Sequence, residues 1–390
     1  MAMLCGVPLF RGQMIPSLRQ ADAASVWCHG KTLGRGATSV VVALLLMYGT
    51  AIGRSSATSA APMLQATPVV FGALVVDGDP IVSLVPTPPD ASAIYAIGKE
   101  GLYRTDDGAE SWRRVGPLPP TGHVVAAVDD PLLLLAGNRP ACARAEGDNL
   151  PLNRSEDGGA TWQEVPGLVD AQPLAIWGGA SLALAASCGG LQLSTDAGKT
   201  WRAAPLTDPN YDISSFAVVS GTDQRRRTAL VGATSEGGTN RVWLLDLSDP
   251  SQPTSDGILA DLFGLDGLAG HDRLYLAGVA NGVLISTDEG DTWRRSRRGL
   301  EEVTVSVDPL TDVIPKAERG RGITAVALDP TQPNHLYAGT GDGLYESLDE
   351  GDSWHRVPGV EGRIDELVLA PGGGRLLVQT DAGVFVLVVS

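Results

Sequence analysis

Residues for metal and redox chemistry are scarce in this chain. Its five histidines, at 29, 123, 271, 335 and 355, show no metal-ligand spacing, and its four cysteines form no Cys-x-x-Cys pair. There is no His-Glu-x-x-His and no phosphate-cradling glycine loop after a strand, so neither a metal nor a cofactor is expected. Basic residues are in deficit as well. Against 45 Asp and Glu stand 29 Lys and Arg, a net charge of −16, which argues against non-specific binding to nucleic acid or to an anionic membrane surface. Long apolar runs are also missing: the run from Val40 to Ile52 is shorter than the roughly 20 residues a spanning helix prefers.

Glycine (48) and proline (26) are plentiful, and short strands are evenly spaced between them, which suggests an all-β sandwich, barrel or propeller. One octapeptide recurs. It reads SEDGGATW at Ser155–Trp162, STDAGKTW at Ser194–Trp201, STDEGDTW at Ser286–Trp293 and SLDEGDSW at Ser347–Trp354. A weaker copy, TDDGAESW, runs from Thr105 to Trp112, with Ala109 in the glycine position. Short polar side chains bond to backbone just ahead and hold a turn. Glycine supplies a positive φ, and Trp re-enters a strand while covering apolar surface. Each copy is therefore predicted to be a hairpin. Its structural residues are Asp107 and Trp112, Asp157 and Trp162, Asp196 and Trp201, Asp288 and Trp293, Asp349 and Trp354. A catalytic residue does not need five equivalent copies, whereas a fold stabiliser does.

This octapeptide resembles the Asp-box of the bacterial neuraminidase repeat families, and the resemblance covers about residues 69–390. It implies a β-propeller, a fold shared by sialidases, xyloglucanase-like hydrolases, the sortilin luminal domain and a photosystem II assembly factor. It identifies a superfamily and leaves the chemistry open. Sialidases of this fold use an arginine trio, a tyrosine nucleophile and a Phe-Arg-Ile-Pro motif. The nearest fragment here, Val313-Ile-Pro315, lacks the Phe and the Arg. Tyr95, Tyr275 and Tyr337 share one repeat position, and Tyr103 and Tyr345 another, so they read as core. Tyr211 alone breaks the register.

Along the chain, residues 1–36 are basic, with one acid, Asp22. Residues 37–53 are apolar and read as an export signal or an uncleaved membrane anchor. Residues 54–68 are a Ser/Ala-rich linker, and 69–390 form the propeller. Its fullest unit combines Ile323–Pro330, Asn334–Thr340, Gly343–Leu348 and a strand from Ser353. Between the boxes at Asp196 and Asp288 lies room for a blade without a box, at Ala229–Ala233 and Arg241–Asp246. The last unit, from Ile364, has three strands, and Val69–Val76 is expected to supply its fourth and close the ring. The count is seven four-stranded blades, with six or eight left open by the loose segmentation of blades four and five.

Two connections are long, Asn138–Leu152 and Ser296–Gly322, and long loops on a rigid scaffold are where binding resides. The second carries Arg297, Arg298, Lys316, Arg319 and Arg321. It reads either as a solvated charge run paired with Glu301, Glu302 and Glu318, or as a docking patch for an anionic partner. Cys142 and Cys188 sit in equivalent loops of adjacent blades and are expected to form a disulfide if the chain is exported. The function expected from all this is a non-catalytic binding or scaffolding module for a protein or glycan partner outside the cytoplasm. The alternative is a glycoside hydrolase of sialidase-like type, for which the sequence singles out no catalytic residue.

Overall fold

The computed structural model describes residues 73–86, 91, 93–138, 149–188, 190–223, 225–305 and 322–389. All fall within the compact unit Leu64–Ser390. The basic segment, the apolar segment 37–53 and the linker 54–68 lie outside the described residues, as do Cys142, Lys316, Arg319 and Arg321.

The described residues are all-β, with one three-residue 3-10 turn, Gly178–Ala180, as the helical exception. They make six hydrogen-bonded sheets. The sheet at Gln172–Ala203 shows the common pattern: Gln172–Trp177, Leu182–Ser187, Gly190–Ser194 and Arg202–Ala203 pair antiparallel in chain order. Similar four-stranded meanders cover His123–Val169 and Ile323–Arg356. The region without an octapeptide folds as Tyr211–Ser220, Thr228–Ser235, Thr239–Asp246 and Thr254–Phe263. Its first strand joins the next meander through a short parallel pairing, Val219 with Gly270 and Ser220 with His271, so the two share one eight-stranded sheet. The last sheet has three strands, Ile364–Leu369, Arg375–Thr380 and Gly383–Val388. Ala73 bridges antiparallel to Phe385, and Leu74 N donates to Val384 O at 2.7 Å.

Four octapeptides turn between the third and fourth strands of their meanders, and the Thr105 copy turns between Leu102–Thr105 and Arg113–Gly116, the last two strands of a five-stranded sheet. In Ser286–Trp293 the Ser286 hydroxyl donates to Asp288 Oδ1 at 2.8 Å and accepts from Gly290 N at 2.8 Å. Asp288 also accepts from Thr292 N (2.9 Å) and the Thr292 hydroxyl (2.5 Å). The other copies repeat this within a few tenths of an ångström, including the weak one, where Thr105 replaces Ser and Ala109 holds φ +69. Glycine is needed at Gly351 for two reasons. Its φ is +85, and a Cβ there would lie 2.3 Å from Ile285 Cδ1 of the preceding unit. A Cβ on Gly159 would crowd Leu102 Cδ2 equally closely. The turns thus press each unit against the one before it.

Burial of the five Trp is unequal, contrary to the uniform role expected. Trp354 is 2% exposed and its indole N–H donates to Ser296 Oγ at 2.8 Å, whereas Trp112, Trp162, Trp201 and Trp293 are half-buried. The repeated tyrosines are core: Tyr95, Tyr275, Tyr337 and Tyr103 are all buried.

Apolar packing runs between neighbouring sheets. Leu135 and Ile176 share a cluster, as do Leu193 with Val231, Leu230 with Tyr275, Ile285 with Leu336, and Leu344 with Leu376. Tyr95 packs with Leu134, and Ile81 and Ile94 pack with Val368 and Leu377 of the final sheet.

Candidate functional site: a basic segment and a central cavity

The basic segment begins as the strand Arg294–Ser296. Its backbone is tightly held. Ser296 is buried and hydrogen-bonds Gly351 O, Arg298 O accepts from Trp354 N at 2.9 Å, and Gly299 turns at φ +89 with the Trp354 carbonyl 2.0 Å from where a Cβ would stand. Leu300 is fully buried below it, and Val303 N and Thr304 N both return to Leu300 O. Above this anchored backbone Arg294, Arg295 and Arg298 are exposed. Arg294 reaches Asp352 at 3.3 Å. Half-buried Arg297 donates through Nε to Thr304 Oγ1 at 2.9 Å, and Glu301 caps Gly299 N at 2.7 Å. Arg297 and Glu301 are thus each engaged by hydrogen bonds inside the turn.

Of the boxes' acids, Asp288 is held down at about 2 chiefly by the Thr292 hydroxyl, then by Thr292 N and the Ser286 hydroxyl. Asp196 is also near 2, where the Thr200 bonds overcome the opposing effect of burial. These carboxylates accept from their own turns, which suits structural roles. Among the described residues no group of three or more His, Cys, Asp or Glu is placed to hold a metal. Tyr211, singled out by register, packs edge-on to Trp243 at 5.7 Å, with the Arg241 guanidinium 5.0 Å from its ring centre.

A cavity of about 120 Å³ opens among the first strands of successive sheets. Val125, Leu174, Phe216, Leu268 and Val326 contribute apolar wall, as does Pro86 after the strand Asp79–Leu84. Glu366 is the one ionisable residue among its described lining residues. It follows a register shift in Ile364–Leu369, opposite Gln379, whose side-chain oxygen is turned away to Leu84 N at 2.7 Å. Glu366 is half-buried at the cavity wall, and desolvation by the apolar strands around it pushes its carboxyl up to about 7; Leu367 N opposes the rise, and Asp365 beside it adds to it. Among 45 Asp and Glu, Glu366 carries no local pattern that marks it out. Overlaying the last two repeats would have exposed it: ITAVAL at Ile323 aligns with IDELVL at Ile364, putting Glu366 where Ala325 stands.

A second cavity, about 380 Å³, is lined by Ser220, Thr222, Arg226, Asp272 and Arg273 among others. Ser220 Oγ lies 2.9 Å from His271 Nδ1, and His271 Nε2 lies 3.6 Å from Asp272 Oδ2. The residue types are those of a nucleophilic triad. The last distance is longer than a hydrogen bond, Ser220 is 4% exposed, and Asp272 Oδ1 accepts from Thr222 N at 2.9 Å. Arg226 is paired with Glu289. These groups tie the two halves of the eight-stranded sheet together.

Cys188 is disulfide-bonded. It directly follows the strand Leu182–Ser187.

No family model matches the chain. A stretch of 100 residues, 25% of the chain, is 32% identical to the oligoxyloglucan-reducing end-specific xyloglucanase of Emericella nidulans, of which it spans 11%. The extracellular domain of a one component system from B. thetaiotaomicron is similar in structure, with a TM-score of 0.52 at 14% identity, over 82% of this chain and 40% of that one. The GH74 xyloglucanase from Xanthomonas campestris gives 0.49 at 16% identity, over 76% of this chain and 50% of that one. The repeated antiparallel meanders, together with the likeness at a TM-score of 0.52, are those of a protein of the β-propeller type. The chain spans half or less of each of these relatives.

Proposed function

We propose that this chain is an exported or membrane-anchored propeller of seven blades that binds a protein or glycan partner without turning it over. The repeated meanders and the apolar clusters between neighbouring sheets support the seven-unit count. The Ala73–Phe385 bridge and the packing of Ile81 against Val368 support closure of the ring between its two ends. The octapeptide hydrogen bonds support membership in the Asp-box group. Export draws on the basic and apolar residues 1–53 and on the likeness to a domain that is itself extracellular.

The observation that carries the binding reading is the basic segment. Its backbone is fixed by Trp354 and Leu300, and exposed Arg294, Arg295 and Arg298 project from a protein of net charge −16. A fixed backbone lowers the ordering cost of binding, and guanidinium groups suit carboxylate, sulfate or phosphate. Arg297, Arg298, Lys316, Arg319 and Arg321 are the proposed contact residues. Charge reversal at Arg297, Arg298, Arg319 and Arg321, read on an array of acidic and neutral glycans at low and high salt, tests this. Binding to acidic glycans that fades with salt and is lost in the variant supports the reading; an unchanged binding profile overturns it.

The 32% identity over 100 residues to a xyloglucanase favours one other reading, a glycoside hydrolase. Turnover of fluorogenic glycosides that one carboxylate substitution abolishes would establish it.

A further inference from the structure

We propose that the central cavity is a binding site for a small alkylammonium group, held by the Glu366 carboxylate against a hydrocarbon wall. The site is independent of the basic segment.

The walls come from Val125, Leu174, Phe216, Leu268 and Val326, with nothing ionisable facing Glu366 from those strands. A carboxyl placed where the preceding repeat has Ala325 is not needed for packing, and it is costly there. No ion pair among the described residues reaches it. The ion pairs nearest in sequence belong to Asp365, bound to Arg363 at 2.8 Å, and to Arg375, bound to Glu110 at 3.1 Å. Gln379, across the strand, is engaged by Leu84 N. Burial and the charge of Asp365 therefore favour the protonated acid up to about pH 7.

A ligand that restores the ionised form has to bring a positive charge, and the remaining surface asks for carbon. An anion would oppose the ionisation of Glu366 and lose its own hydration against hydrocarbon, and a polyol would leave its hydroxyls against Val, Leu and Phe without partners. An apolar cavity of about 150 Å³ accommodates benzene, so about 120 Å³ suits an alkyl chain of about four carbons.

Isothermal titration of the full chain with n-butylammonium, n-butanol and n-butyrate at pH 6 and pH 8 tests the proposal. Butylammonium should bind, and its association constant should rise about tenfold from pH 6 to pH 8 as Glu366 ionises. Butanol and butyrate should give no heat. Glu366→Gln, checked for an unchanged circular dichroism spectrum, should abolish butylammonium binding. Absence of binding to the wild type, equal binding of butyrate, a pH-independent constant, or binding retained in Glu366→Gln overturns it. The wild-type pH series stands even if the variant does not fold.

Discussion

Trp354 and Glu366 both stand in environments unlike those of their repeat equivalents. Because Trp354 is buried and bonded to Ser296 while Trp293 is half-buried, Trp354→Ala should cost about 3–5 kcal/mol and Trp293→Ala clearly less. Equal losses in chemical denaturation would contradict this packing account. Gly351→Ala should cost about 1–3 kcal/mol, from the left-handed backbone and the close approach of Ile285. Glu366 acts in the opposite sense to the box acids. Its carboxyl is raised from an ordinary 4.5 to about 7 in the folded state. The native chain therefore holds a proton that the unfolded chain releases, and its stabilising effect, present below about pH 4.5, is lost as pH rises through about 7. The loss should be on the order of 2 kcal/mol, discounted for the part of Glu366 open to the cavity. Glu366→Gln should remove that slope between pH 4.5 and 7 in thermal melts. A parallel pair of pH profiles would show that the carboxyl is not desolvated by the cavity wall.

At the scale of elements, the octapeptide turns and the long loops respond to different conditions. Asp196 and Asp288 sit near 2 in the folded chain, below their ordinary 3.8. Their contribution is present above about pH 3.8 and is lost as pH falls through about 2. Asp288→Asn should leave the melting temperature less dependent on pH between 4 and 2 than in the wild type, as circular dichroism would record. The bond at Cys188 joins the end of Leu182–Ser187 to a partner outside the described residues. If that partner is Cys142, closing a loop of roughly 46 residues contributes about 3–4 kcal/mol on the chain-entropy model. Cys142→Ser should then free one further thiol in the denatured, unreduced protein, and a thiol count that did not rise would point to Cys5 or Cys28 instead.

At the scale of the whole molecule, residues 73–76 meet the last sheet. Leu74 N bonds Val384 O, and Leu74 and Val76 pack with Val384 of the last sheet. Removing residues 1–68 should leave the melting temperature of the remaining chain intact. Removing residues 1–76 exposes the edge of Gly383–Val388, an open strand prone to pairing with another chain. That truncation should melt earlier and self-associate, as calorimetry and size-exclusion chromatography would detect. Equal melting temperatures for the two truncations would argue against closure through residues 73–76.

What the sequence determined by itself is what repeats. A turn built from Ser, Asp, Gly and Thr bonds within eight residues, so five copies announce five turns, and strand alternation around them places the meanders, even the unit at 211–263 that lacks a box. Tertiary structure decided what depends on neighbours distant in sequence. Among the described residues, Trp354 alone of the five box tryptophans bonds Ser296, Tyr211–Ser220 and Gly267–His271 merge two units through parallel pairing, and Glu366 is the one ionisable residue lining the apolar cavity. Local hydrogen bonding is written in adjacent residues, whereas burial is set by which strands the folded chain brings together, and that carries no short-range signature.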